Sequence, residues 1–153
     1  MAILWGRYSR PRSGGISIDP GEHVILVDTH VVLWLLSDPD RLSKNAKAAI
    51  DDARQNEDGL AVCGITLLEI ATAYGKGRIS MEMSLESFLR DVEERFAVLP
   101  ISARACARTL TLPDSYPKDP ADRVIGATAL VEGMALVTAD RGIRRAKAVR
   151  TVW

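Results

Sequence analysis

Cysteine is scarce in this chain. Its two cysteines, Cys63 and Cys106, stand far apart and form no CxxC pair. That excludes a disulfide scaffold or a zinc framework, and points to a reducing compartment, the cytoplasm, with both thiols as small core residues. Net charge is absent too: 20 Lys and Arg stand against 20 Asp and Glu, so there is no global basic field of the kind that marks a nucleic-acid binder. Any site for a polyanion must be local. No apolar run nears the roughly 20 residues that cross a bilayer, and the N-terminus carries no apolar signal segment, so a soluble protein with no membrane partner is expected. Internal repeats and low-complexity tracts are missing as well. Aromatics make up 5% of the chain, and Trp34, set in an apolar stretch, is expected in the core rather than as a surface for stacking bases.

What remains is a chain of 153 residues, 47% apolar, which suits one compact domain, since a chain of this size buries about two-thirds of its unfolded surface. Residues 1–22 mix Gly, Pro, Ser and Arg without a sustained period and are expected to be a mobile arm or an early start, with Arg7, Arg10 and Arg12 solvated or touching phosphate. Residues 23–153 are expected to form the domain. Its organising stretch is HVILVDTHVVLWLL, residues 23–36. The apolar run 24–27 is too short for a buried helix and suits a strand covered on both faces. A helix of about two turns follows, closed by the SDPD turn at 37–40.

Further along, 42–53 has helical spacing with Ser43 as N-cap, and Gly59 ends it. LAVCGI (60–65) is a second buried strand, and 66–74 a helix stopped by Gly75 and Gly77. Residues 84–96 form an amphipathic helix, 97–101 a third strand, and 102–112 another helix. A proline-rich loop, PDSYPKDPADR, leads into an Ala-rich helix over 122–133. MALVTAD (134–140) is a fourth strand, followed by a short basic helix and a last strand. Such alternation implies parallel pairing, right-handed crossovers and helices on both sheet faces.

Four acids mark strand-to-helix junctions, and each has a structural explanation. Asp28 and Asp140 follow strands and cap the next helix. Thr66 and Glu69 fit a capping box. Asp119, Pro120 and Asp122 fit N-cap, first and third helical positions. Singly, each suits a cap better than a catalyst. In a parallel sheet, however, all such junctions lie on one edge, so these carboxylates converge. Converging carboxylates repel, and a divalent cation would offset that repulsion. His30 and His23 do not share a metal-ligand spacing with them. An all-oxygen, all-acid set suits Mg²⁺ or Mn²⁺, and such a centre suits phosphodiester hydrolysis.

These residues resemble the PIN-domain ribonucleases, and within them the VapC toxins of bacterial toxin–antitoxin pairs. The resemblance rests on VDTHVVLWLL at Asp28, TLLEIATAYGKGRI at Glu69, DPADRVIGATAL at Asp122 and LVTADRGI at Asp140, in the family's order. It implies an α/β three-layer sandwich with a central, mostly parallel sheet of about five strands, and a Mg²⁺- or Mn²⁺-dependent endoribonuclease. Asp28, Glu69 and Asp122 would carry the metal, with Asp140 completing the site directly or through water. A metal-bound water, not the 2′-hydroxyl, would attack phosphorus. Asp119 would be a cap or a supporting group, and Thr29 and Thr138 would hold carboxylate rotamers by hydrogen bonds. The implied partners are RNA, a small VapB-like antitoxin covering the cleft, and a second copy of the chain in a homodimer.

Lys76, Arg78, Lys118, Arg123, Arg141, Arg144 and Arg145 lie near the expected edge of the cleft. They suit RNA phosphates and a solvated surface equally. Two other readings compete. A haloacid-dehalogenase-type phosphatase also sets a nucleophilic Asp after a buried strand, but needs a second Asp two residues on, where this chain has His30. A non-catalytic binding module would use the acids only as helix caps. Metal dependence separates them.

Overall fold

The structure is a computed structural model describing residues 2–3, 24–55 and 59–153. Five strands form a wholly parallel sheet: β2 (Ile25–Val27), β3 (Leu60–Cys63), β5 (Ala97–Leu99), β6 (Ala135–Val137) and β7 (Thr151–Val152), in the spatial order β5-β3-β2-β6-β7. A separate two-stranded parallel pair joins β1 (Ala2–Ile3) to β4 (Ser80–Met81). The helices are α1 (Thr29–Ser37), α2 (Lys44–Gln55), α3 (Gly64–Gly75), α4 (Leu85–Arg95), α5 (Ala103–Thr109), α6 (Pro120–Glu132) and α7 (Arg141–Ala146). Apart from Ala2–Ile3, the expected arm over residues 1–22 lies outside the described residues, as does His23.

The sheet has a core on each face, as the two-residue period of a strand requires. Val27, Val62 and Val137 face a core built with α1, α2 and α4 through Val31, Leu35, Ile50, Phe88 and Val92. Leu26, Ala61, Cys63 and Leu136 face the opposite core, shared with Tyr116, Ile125, Ala129 and Ile143. The result is the expected α/β three-layer sandwich. Every residue of β3 is buried, the pattern of a strand covered on both sides.

Local signals explain where most helices begin and end. Ser43, Ser84 and Ser102 side chains accept from the amides of Ala46, Ser87 and Ala105 at 3.1, 3.2 and 3.1 Å, as N-caps do. Gly133 ends α6 with φ +67°, a left-handed conformation that costs glycine little. Two corrections concern the α3 entrance. The second strand stops at Cys63, and Gly64 and Ile65 belong to the helix. Thr66 is therefore inside α3, and the expected capping box with Glu69 does not form. Its N-cap is Cys63, with no side-chain hydrogen bond.

The order of strands locates a crevice. From β2 the chain moves outward to β3 and β5, then returns to the other side of β2 for β6 and β7. Crossovers leaving β2 and β6 thus diverge, which opens a gap beyond their carboxyl ends. Asp28 follows β2, and Thr138 and Asp140 follow β6.

Candidate active site

Among the described residues Asp28 is the most deeply placed acid, 3% exposed. Its amide donates to the Val137 carbonyl at 3.0 Å, continuing the β2–β6 pairing to the mouth of the crevice. Its carboxylate is held on both oxygens: Oδ1 accepts from the Thr29 amide at 2.8 Å and Oδ2 from the Thr138 hydroxyl at 2.7 Å. Thr138 Oγ1 in turn accepts from the Asp140 amide at 3.0 Å, so one buried threonine ties together the ends of β2 and β6.

Glu69 comes from the neighbouring helix α3 and is half-buried. The Thr29 hydroxyl lies within hydrogen-bond range of both Glu69 Oε2 and, at 3.0 Å, Thr66 Oγ1. A hydroxyl has one proton. With Glu69 ionised, Thr29 donates to the carboxylate and Thr66 donates to Thr29. Thr66, 0% exposed, is thus part of the acid's support, a role hidden in the sequence by its resemblance to an N-cap.

The opposite wall is the start of α6. Asp119 caps it, Oδ1 accepting from the amides of Ala121 and Asp122 at 2.9 and 3.2 Å. Asp122, half-buried one turn in, has no side-chain hydrogen bond among the described residues. Asp140 is exposed and caps α7 through a 2.8 Å bond from the Ile143 amide to Oδ1.

Electrostatics shows that these groups share one neighbourhood. Burial pushes the Asp122 carboxyl up to about 7, and the charges of Asp28, Asp119, Asp140 and Glu69 add to the rise. Burial also raises Asp28, against the pull of the Thr138 hydroxyl and the His30 charge, with Asp140 adding to the rise. Glu69 is raised by burial, opposed by the Thr29 hydroxyl and reinforced by Asp28. These charges act on one another. Among the described residues, however, no three of them are posed around a common point as metal ligands: Asp28, Glu69 and Asp140 each face their own hydrogen-bond donors.

Two groups near the acids fall outside the site set expected from the sequence, where His30 stood apart for want of a metal-ligand spacing. His30 is exposed, but its charge acts on both Asp28 and Glu69. Tyr116, 1% exposed, donates from its hydroxyl to the Asp122 carbonyl at 3.1 Å. It lies so close to Gly126 that a Cβ there would sit 2.0 Å from the phenol oxygen. The tyrosine therefore packs against bare helix backbone and braces the turn that carries Asp122.

The cations divide. Arg123 is committed to the fold, its guanidinium donating to the carbonyls of Thr109, Pro117 and Leu112 at 2.8, 3.2 and 3.4 Å. Lys118 pairs with Asp114 at 3.0 Å in full solvent contact. Lys76, Arg78, Arg141, Arg144 and Arg145 are exposed.

A parallel sheet that gathers acids at the ends of its central strands defines the class. Residues 25–149 match the PIN domain, and the chain belongs to that family. It is similar to Ribonuclease VapC22 of Mycobacterium tuberculosis (strain ATCC 25618 / H37Rv), 39% identical over 131 residues that cover 84% of this chain and 98% of that protein. Two solved structures share the fold. VapBC2 from Rickettsia felis, bound to a DNA fragment from its promoter, has a TM-score of 0.62 at 15% identity, covering 84% of this chain and 96% of that one. VapBC-1 from nontypeable Haemophilus influenzae gives 0.62 at 20% identity, again over 84% and 96%.

Proposed function

We propose that this chain is a divalent-metal-dependent endoribonuclease, the toxin of a VapBC-type pair. The single observation that carries the site is the mutual influence of Asp28, Glu69, Asp119 and Asp140 on Asp122, which stands half-buried without a donor. Similarity to a VapC ribonuclease over nearly that protein's whole length supports RNA as the substrate, and the toxin–antitoxin complexes that share the fold support a VapB-like antitoxin as the partner. A second copy of the chain in a homodimer and a cytoplasmic location complete the reading.

The residues fit Mg²⁺ or Mn²⁺ on two counts. Their donors are all carboxylate oxygens, the chemistry hard cations prefer. Among the described residues the raised carboxyl of Asp122 has no hydrogen-bond partner to offset its burial, and a cation would supply one. Asp28, Glu69 and Asp122 would hold the ion, with Asp140 directly or through water. Their side chains would turn from the positions described above. Bound there, the cation supplies Lewis acidity and charge neutralisation at the scissile phosphodiester.

The rest of the work falls to the protein. Thr138 and Thr29 hydrogen-bond Asp28 and Glu69 and so limit how far these two carboxylates turn when the ion is bound. Asp119 holds the first turn of α6 and so the approach of Asp122. Lys76, Arg78, Lys118 and Arg141 would contact RNA phosphates at the rim, while Arg123 acts through the loop it secures.

The test is cleavage of RNA by the full chain. EDTA abolishes it and Mn²⁺ restores it, and Asp28→Asn and Asp122→Asn eliminate it while circular dichroism stays that of the wild type. Normal cleavage by both variants would overturn the assignment. A binding module whose acids are only caps would give no metal-dependent cleavage at all.

A further inference from the structure

In a chain so poor in aromatics, Trp34 and Trp153 meet at one place. Trp34 lies on α1 one turn after His30, on the same helix face, with ring centroids 6.2 Å apart and planes tilted by 52°. Trp153, next to the short strand β7, packs on Trp34 at 5.8 Å and 54°. The Arg41 guanidinium, from the turn Pro39–Arg41 that follows α1, lies 4.3 Å from the centre of the Trp34 ring. His30 and Arg41 are exposed, and both tryptophans are half-buried.

Packing accounts for the inner part of this group, since Trp34 and Trp153 also cover the edge of a core. It does not account for the outer part. Arg41 makes no ion pair among the described residues, and its planar cation is held over an indole, which fixes the plane's orientation. His30 begins the row beside Asp28 and Glu69, whose carboxylates feel its charge. His30 stands in the first turn of α1, directly after Thr29, whose hydroxyl reaches Glu69, so the planar groups begin at the helix end that carries Asp28. Such a row suits a single strand: its unstacked bases present faces that histidine, tryptophan and arginine planes take up, whereas a duplex hides them.

We propose that His30 and Arg41, with Trp34 supporting both planes from beneath, form a stacking subsite that receives bases of single-stranded RNA next to the phosphodiester held at the acids. This rests on the ribonuclease reading, and the experiment keeps the two separable. Binding is measured by fluorescence anisotropy with the full chain carrying Asp122→Asn in Mg²⁺. The probes are a labelled single-stranded RNA octamer and the same octamer made abasic.

Arg41→Ala weakens the octamer about tenfold, the scale of one lost base stack, and leaves the abasic octamer unchanged. Arg41→Lys, which keeps the charge but not the plane, is as weak as Arg41→Ala. An Arg41→Lys variant that binds like its parent, or an equal loss for the abasic probe, would reduce the contact to phosphate charge and overturn the proposal. In the active enzyme, Arg41→Ala raises KM for RNA about tenfold and moves kcat by less than about twofold. A fall in kcat at constant KM would count against the subsite. If the wild type cleaves no RNA with Mg²⁺ or Mn²⁺, the hydrolase reading fails by itself, and the binding measurements still decide whether bases stack here.

Discussion

The two walls of the cleft are built on opposite plans. On the β2–α3 side, threonine hydroxyls answer the acids: Thr138 serves Asp28, and Thr29, backed by Thr66, serves Glu69. On the α6 side the available donors, the amides of Ala121 and Asp122, go to Asp119, and the Asp122 carboxylate receives none among the described residues. One wall is satisfied by the protein alone. The other is left with a charge that burial and neighbouring acids oppose. A fold tolerates such a group when a ligand or a proton compensates it, so the asymmetry separates residues that position from the residue that waits for a partner.

The largest effect should come from removing that waiting charge. Asp122→Asn should lower RNA cleavage about a thousandfold, the scale of roughly 4 kcal/mol of transition-state stabilisation that a metal centre supplies. Single-turnover assays measure it, and retention of even a tenth of the activity would break the distinction between the walls.

Next comes the brace behind Asp122. Gly126→Ala places a methyl 2.0 Å from the Tyr116 hydroxyl, so the ring must move and its bond to the Asp122 carbonyl is lost. A loss of about 1–3 kcal/mol in urea unfolding is expected, and the Tyr116→Phe, Gly126→Ala double variant should show less than the sum of the single losses. Additive losses would mean that the two residues do not act through one contact.

On the satisfied wall, Thr138→Val keeps the volume but removes a donor from Asp28 and an acceptor from the Asp140 amide. Mn²⁺ affinity, read by calorimetry, should fall about tenfold. An unchanged affinity would show that this hydroxyl serves folding alone.

The smallest effect concerns pH. Asp122 titrates near 7 in the fold, above its unfolded value. Its contribution to metal-free stability is therefore fully present below the unfolded pKa and is lost as pH rises through about 7. In EDTA the wild type should be more stable at pH 5 than at pH 8 by on the order of 1 kcal/mol, since the group is half-buried and water screens it. Asp122→Asn should flatten that part of the profile, and an unaltered profile would assign the pH dependence to other acids.

Much of this was legible beforehand because its causes are local. A short apolar run bounded by acid and threonine specified β2, Ser43 before an amphipathic stretch specified the start of α2, apolar spacing placed α4 and α5, and Asp119-Pro120 specified the start of α6. The α3 entrance misled for a physical reason. An apolar run such as LAVCGI fits equally a buried strand and the first turn of a buried helix, and periodicity over six residues cannot separate them. That shift of the helix start took Thr66 out of a cap and delivered it to Thr29. The Tyr116 brace and the pairing of β1 with β4 were equally out of reach. Both join segments distant along the chain or buried in a loop, with no periodic signature of their own.

Residue order along the chain was enough to say that a parallel α/β sheet would bring several acids to one edge, because alternation and strand-end position are properties of neighbours in sequence. Which acids find donors and which is left without one depends on where side chains from α1, α3 and β6 meet across the crevice. Hydrogen bonding and desolvation act between atoms in contact, and folding alone makes those contacts.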